Sequence, residues 1–441
     1  MTDAAIYLPA WLLQYLPVWL ARQCSQAKWP QTQRKNFTRE KQLLVDVSVV
    51  HQNDARTGIQ RVVRALLIQL LATPPHGYNV RPVFATRQQQ YAYAEPNFLN
   101  KSKKTQSTRK IAQPEIVQVG SSDLFLALDL AAHILHHHKN QVLQWKRQGV
   151  QIHVVVYDLL PLQHPEWFNP KTTRNFKRWL AWLIVYADSA ICISNTIKIE
   201  LQNLINTHLG IHTNKLPVST FILGANINET APTEGLPPNA DFLLKTATTK
   251  PAILMVGTLE PRKGYDQALA AFEIIWANDS EAPLLIIVGR PGWKTEDLQH
   301  TLRKHPQAGK RLFWLEDVSD EFLELLYSAC RGVLVASLAE GFGLPLVEAA
   351  LKNKPVLARN LSVFKELPIS GVDFFTANTA DGLAIELKTW IDNISKKPFQ
   401  TSEYIPTWQQ SSIQLMIALG INYNNSPKLH FLDDQKNGVT I

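Results

Sequence analysis

The sequence predicts an α/β protein built from two doubly wound parallel sheets. Three observations carry this. Short apolar, β-branched runs alternate with helical patterns from residue 43 onward; a Pro/Thr/Asn-rich stretch breaks the rhythm; and a second alternation begins at Pro251. Strands that are apolar throughout are buried on both faces, and helices between parallel strands supply the cover. With 441 residues, 45% of them hydrophobic, the chain is long enough for two such cores.

In the first half, LLVDVSVV (43–50) reads as a strand and GIQRVVRALLIQLL (58–71) as a helix. DLFLALDL (123–130), QIHVVVYDLL (151–160) and DSAICIS (188–194) read as further strands, and FKRWLAWLIVYA (176–187) as a helix. Polar residues 101–116 suggest a surface loop, and 228–250, with little apolar periodicity, suggests a linker. The second alternation runs strand 251–260, helix 265–277, strand 283–290, helix near 295–304, strand 311–316, helix 320–330, strand 332–337 and strand 354–359. The expected organisation is an N-terminal extension (1–41), a first domain (42–230), a linker (231–250) and a second domain (251–404). A C-terminal stretch (405–441) follows, whose polar end reads as disordered. Its helix, TWQQSSIQLMIAL (407–419), either returns to the first domain as a brace or packs locally on the second.

Net charge is +8, concentrated in residues 1–150, which hold 19 Lys/Arg against 8 Asp/Glu. Such a third fits an anionic partner, whether a phospholipid surface, a nucleic acid or a phosphorylated acceptor, or simply a solvated surface. Nucleic acid is not expected, because no RNA-reading or helix-turn-helix signature accompanies the charge. The apolar, aromatic stretch AAIYLPAWLLQYLPVWLARQ (4–23) contains Pro9 and Pro17 and lacks a basic leader and a cleavage site. It reads as a segment lying in a membrane interface or as a helix packed on the first domain. Cys24, Cys192 and Cys330 are too scattered for a zinc site or a disulfide framework, which suits a reducing, cytoplasmic setting. The run HILHHHK (133–139) lacks the carboxylate or cysteine that would complete a ligand set, and reads as a solvated or positive helix face. Trp179 and Trp182 read as core or interface anchors.

The informative stretch is EGFGLPLVE (340–348), at a strand-to-helix junction. Pro345 suits a first helical turn, whose free N–H groups and dipole favour an anion. Gly341 and Gly343 let backbone approach it. Glu340 and Glu348 would repel a phosphate unless aimed elsewhere, and sugar hydroxyls are natural partners. A second junction, GTLEPRKGYDQAL (257–269), puts Arg262 and Lys263 after a strand and before a helix, where two cations neutralise a leaving diphosphate. Alone, PRKG reads as a polar turn and EGFGLPLVE as a capped helix; together in one α/β domain they read as a nucleotide-sugar site.

This pair resembles the E-x7-E motif and the G-x-x-x-x-R-K-G loop of the retaining glycosyltransferases of family 4, which have the GT-B fold of two Rossmann-like domains facing across a cleft. VDVSVVHQNDARTGIQRVVRAL (45–66), VVVYDLLPLQHPEWF (154–168), CISNTIKIEL (192–201) and VSDEFLELLYSAC (318–330) resemble bacterial members acting in O-antigen or capsule synthesis, of mannosyl- or rhamnosyl-transferring type. The resemblance covers most of residues 43–420. It implies that Arg262 and Lys263 bind the donor diphosphate, Glu348 the ribose, and Glu340 the transferred sugar. Gly257 lies in the same donor site, with the backbone of Phe342, Gly343 and Leu344 on sugar and phosphates. Gly58 approaches the diphosphate from the first domain, and residues near Leu315–Val318 meet the base. Where many members have a His-Asp pair, this chain has Tyr157–Asp158, so Asp158 is only a positional candidate on the acceptor side. The implied donor is a nucleotide diphosphate sugar such as GDP-mannose, and the implied acceptor is a glycan or lipid-linked sugar. No cofactor is expected, and no D-x-D metal motif is present. The implied setting is cytoplasmic, peripheral at the inner face of the plasma membrane. A non-catalytic nucleotide-sugar-binding subunit and a glycan phosphorylase are the competing readings.

Overall fold

The computed structural model describes residues 7–35, 39–95, 98–100, 114–209, 216–224, 226, 232–394 and 406–421. The first sheet contains β1 (Lys41–Asp46), β2 (Tyr78–Phe84), β3 (Ala92–Tyr93), β4 (Leu124–Ala127), β5 (Gln151–Val156), β6 (Ser189–Cys192) and β7 (Val218–Thr220), in the order β3-β2-β1-β4-β5-β6-β7. Only β3 is antiparallel in this sheet. The second contains β8 (Ala252–Val256), β9 (Leu284–Val288), β10 (Leu312–Leu315), β11 (Gly332–Val335), β12 (Val356–Arg359) and β13 (Val372–Phe375), all parallel, in the order β10-β9-β8-β11-β12-β13. In each sheet the order in which strands are added therefore reverses beside the first strand, between β1 and β4 and between β8 and β11. Ligands of doubly wound folds bind at the carboxyl ends of the strands at such switch points.

The helices of the first half are α1 (Ala10–Leu13), α2 (Val18–Ser25), α3 (Ser48–Gln52), α4 (Gly58–Ala72), α5 (Lys139–Gln148), α6 (Leu160–Gln163), α7 (Pro170–Tyr186) and α8 (Asn195–Leu209). Those of the second are α9 (Ala240–Thr249), α10 (Tyr265–Asn278), α11 (Glu296–Lys304), α12 (Asp320–Ala329), α13 (Leu344–Leu351), α14 (Ser362–Lys365), α15 (Ala380–Ile394) and α16 (Trp408–Ala418). Their starts are chemically marked. Thr57 and Gln60 form a capping box on α4, and Thr407 and Gln410 form one on α16. Asn169 caps α7 ahead of Pro170, and Ser319 caps α12.

Three apolar layers result. One lies outside the first sheet and one outside the second. The third is continuous between them, joining Val62, Leu66 and Leu70 of α4 to Leu326 of α12, Leu346 of α13 and Trp408 of α16. Trp408 is fully buried and donates from Nε1 to the Asn226 carbonyl at 3.0 Å. Thus α16 packs on α4 and β7.

Several elements differ from the sequence reading. The expected linker 231–250 contains a helix, because Ala240, Leu243 and Ala247 share a buried face despite sparse periodicity. The first strand stops at Asp46, and Ser48–Gln52 turns into α3, whose first amides are taken by Asp46 and Asp129 carboxylates. The reading also passed over β2, β3, β7, β13 and α15. The expected disordered tail, beyond about residue 425, lies outside the described residues, as does most of the expected loop 101–116.

Candidate active site

The loops after β8 and β11 meet at the second sheet's switch point. The Leu338 amide donates to the Arg262 carbonyl at 2.7 Å and ties the two junctions together. Arg262 donates from Nη1 to Glu340 Oε2 at 2.6 Å and from Nε to Glu260 at 2.7 Å. Lys263 Nζ reaches Glu340 Oε1 at 2.5 Å, and Ser337 Oγ donates to the same oxygen at 2.7 Å. Burial by itself would raise the Glu340 carboxyl, but Arg262 and Lys263 outweigh it and hold its pKa down to about 2. The carboxylate assigned to the transferred sugar is therefore paired here with the two cations assigned to the diphosphate. Gly257 sits behind them and accepts from Tyr265 Oη at 2.6 Å.

Helix α13 starts at Leu344 with Gly343 as its cap at φ 119°, a left-handed conformation that favours glycine. Phe342 is buried beneath the turn. Glu348, one turn in, is buried; its two oxygens accept from Arg61 Nη1 at 2.6 Å and Tyr327 Oη at 2.8 Å. Arg61 belongs to α4 of the first domain and also reaches Asp320 at 2.9 Å. Burial opposes its charge, yet Glu348 and Asp320 outweigh that and raise its pKa.

The first domain closes the site from the opposite side. A Cβ added at Gly58, the first residue of α4, would meet the side chain of Leu344, the first of α13, at ordinary contact distance. Gly341 is pressed against the Tyr157 carbonyl with no room for a side chain, next to Asp158. Burial pushes the Asp158 carboxyl up to about 6, against the lowering pull of Arg262. Val318 lies farther along, between β10 and α12, half-buried against the shared core. The structure thus gathers Arg262, Lys263, Glu340, Gly257, Gly341 and Asp158 at one junction, and Gly58, Leu344 and Glu348 along the α4–α13 contact. Sequence reasoning missed Arg61, Tyr327, Ser337 and Glu260. Arg61 and Tyr327 stood inside stretches singled out above, and a glutamate at an otherwise apolar helix position called for a buried partner.

Comparison with known proteins fits this geometry. Residues 239–408 match the family model "Glycosyl transferases group 1". That segment is a group 1 glycosyl transferase domain. It contains both junctions, so Arg262, Lys263, Glu340 and Glu348 all belong to the transferase domain. The chain is 39% identical over 391 residues to the serotype-specific mannosyltransferase WbdA of Escherichia coli, covering 88% of this chain and 47% of that protein. It is 27% identical over 169 residues to O-antigen chain mannosyltransferase B of Escherichia coli, covering 38% and 44%. The chain spans about half the length of these curated relatives. Solved structures share the two-domain GT-B fold. Anabaena HepE, solved with UDP and glucose, gives a TM-score of 0.54 at 17% identity over 87% of this chain and 96% of that one. Sucrose-phosphate synthase from Thermosynechococcus elongatus gives 0.52 at 16% identity over 86% and 94%. Among the described residues, no group of three or more His, Cys, Asp or Glu is placed to hold a metal ion around the transferase domain or elsewhere.

Proposed function

We propose that this chain is a retaining glycosyltransferase that moves a hexose from a nucleotide diphosphate sugar, GDP-mannose or a similar donor, to a bacterial surface-polysaccharide or lipid-linked acceptor. The observation that carries this reading is the Arg262–Glu340–Lys263 cluster at the switch point of a group 1 glycosyl transferase domain. The mannosyltransferase names of the relatives support mannose, and the O-antigen names support a polysaccharide acceptor. Arg262 and Lys263 would exchange Glu340 for the departing diphosphate as negative charge develops on it. In a front-face transfer, the leaving phosphate oxygen takes the proton of the acceptor hydroxyl while the sugar–phosphate bond breaks and the new glycosidic bond forms. No cofactor is required for these steps. We read the chain as peripheral at the inner face of the plasma membrane; no described helix is long and apolar enough to cross one.

A transfer assay with GDP-mannose and a mannose-terminated acceptor tests the reading. Lys263→Ala and Glu348→Ala should each lose most activity, roughly a hundredfold for the lysine, since a preorganised cation in such a site is worth about 3 kcal/mol at the transition state. Full activity in both variants would remove the assigned site. Donor binding by calorimetry with no turnover toward any acceptor would favour a non-catalytic nucleotide-sugar-binding subunit.

A further inference from the structure

Five Trp or Tyr side chains are exposed among the described residues, and four fall in one short stretch. Tyr7, Trp11, Tyr15 and Trp19, spaced four residues apart, are 42%, 56%, 75% and 53% exposed; the fifth is Trp293. The stretch is pinned in place. Ala10, Leu13, Ala21 and Cys24 on its other side enter the core beneath the first sheet. Arg22 donates to the carbonyls of Ile184 and Ala187 at 2.6 and 2.8 Å, Ser25 to that of Val185 at 2.5 Å, and Tyr7 to that of Lys28 at 2.9 Å. The aromatic rings therefore point outward because the fold holds them there.

The three segments packed around them carry one sign of charge, with Glu166 before α7 and Asp188 after it, the latter paired with Lys146. Residues 7–35, 131–150 and Pro170–Tyr186 contain no Asp or Glu. These stretches pack together: α2 lies along α7, and α1 against α5. Helix α7 exposes Lys171, Arg174, Lys177 and Arg178, spaced three or four apart along one face. Lys139 of α5 donates to Gln14 at 2.7 Å, and the Arg147 guanidinium lies over the Tyr7 ring. At the start of α7 this face runs into a cavity of about 380 Å³ lined by Pro165, Pro170, Thr173, Arg174 and Lys177. Beside it, Trp293 and Lys294 of the second domain donate to the Trp167 and Glu166 carbonyls at 2.8 and 2.5 Å.

We propose that this face, the aromatic row of α1–α2 flanked by the cationic face of α7, docks on an anionic phospholipid bilayer. Indole and phenol rings partition to the headgroup level, where an apolar body meets a polar tip. Clustered lysines and arginines are drawn to anionic headgroups, and neither signal suffices alone for stable attachment. A bilayer suits the combination because the cations are spread along a helix with no matching carboxylate. Docking this way sets the α7 end of the inter-domain contact at the lipid, so a lipid-linked acceptor would enter beside Trp167. The inference rests on the peripheral placement proposed above, and its test needs no turnover.

Full-length chain is sedimented with vesicles of phosphatidylcholine alone and of phosphatidylcholine mixed with phosphatidylglycerol. Binding should require phosphatidylglycerol and weaken at high salt. W11S/Y15S/W19S and K171E/R174E/K177E/R178E should each weaken it about tenfold or more, while W11F/Y15F/W19F retains most of it. Brominated lipid acyl chains should quench the tryptophan emission of the unaltered protein, a readout that does not depend on any variant folding. Equal binding to neutral vesicles, no binding to either, or wild-type binding by both charge and aromatic variants would overturn the proposal. So would attachment through Trp11 to a protein partner without lipid. Loss of sugar transfer with vesicle binding intact would count against the proposed reaction alone.

Discussion

Arg61 and Glu348 join the two domains through a buried ion pair of 2.6 Å, with side chains 18% and 3% exposed. The same guanidinium holds Asp320, so one residue of α4 fixes two carboxylates of the second domain. The resemblance assigns Glu348 to the donor ribose, and in this structure its two oxygens are held by Arg61 and Tyr327.

Removing Arg61 strands a buried carboxylate. Arg61→Ala is expected to destabilise the chain by on the order of 3 kcal/mol, since breaking a buried pair leaves an uncompensated charge. Arg61→Lys should recover only part of that, because an ammonium cannot reach both Glu348 and Asp320 with a planar fork. Urea unfolding of the three proteins is the measurement, and equal midpoints would show that the pair does not hold the domains together.

Glu340 occupies Arg262 and Lys263, the two cations proposed to receive the diphosphate. Glu340→Gln should therefore tighten binding of inorganic pyrophosphate, by about tenfold for charge-assisted contacts of this kind, while sugar transfer falls. Calorimetry and the transfer assay read the two effects separately. Weaker pyrophosphate binding in the variant would mean that Glu340 organises the cations and does not occupy their ligand's place.

Gly341 sets a loop of the second domain against the Tyr157 carbonyl of the first, where an added Cβ would collide with that oxygen. A methyl group there meets backbone, which cannot swing aside as a side chain would. Gly341→Ala should part the domains and lower kcat/KM about a hundredfold, the cost of misplacing reacting groups by about 1 Å. The far-ultraviolet spectrum should be unchanged, and small-angle scattering should show a wider molecule. Normal activity would exclude this contact from the working conformation.

Two buried carboxyls of the first domain tie stability to pH. Burial raises Asp46 to about 6; burial and then the Asp46 charge raise Asp129 to about 7. An unfolded Asp titrates near 3.8. Between that value and about 7 the folded chain holds the extra proton, so this contribution to stability is complete in acid and is lost as pH rises through about 7. Asp129→Asn keeps an acceptor for the Val49 and Val50 amides without the titration. Relative to the unaltered chain it should gain stability from pH 5 to pH 8, on the order of 2 kcal/mol. A difference in melting temperature that stays constant over that range would contradict the assignment.

The sequence by itself determined the fold class and the position of the chemistry along the chain. Apolar runs such as PLLIIV and GVLV, short, β-branched and flanked by Gly or Pro, read as strands buried on both faces, and helices must cover them. Glycine, proline, paired cations and paired carboxylates at two strand-to-helix junctions single out the loops proposed to face an anionic, hydroxyl-rich ligand, because those residue types act through local backbone geometry and charge. The tertiary structure alone decided what each charge faces. Glu340 turns to Arg262 and Lys263, and Glu348 to Arg61 on another domain, 287 residues away in sequence. It also decided that Ala240–Thr249 is a helix, through a buried face with too few apolar positions to show a period, and that Trp11 and Tyr15 point outward while Ala10 and Leu13 point in. Periodicity and turn chemistry are properties of neighbouring residues and can be read from a string. Partners of buried charges are set by how remote segments pack, and no local pattern encodes them.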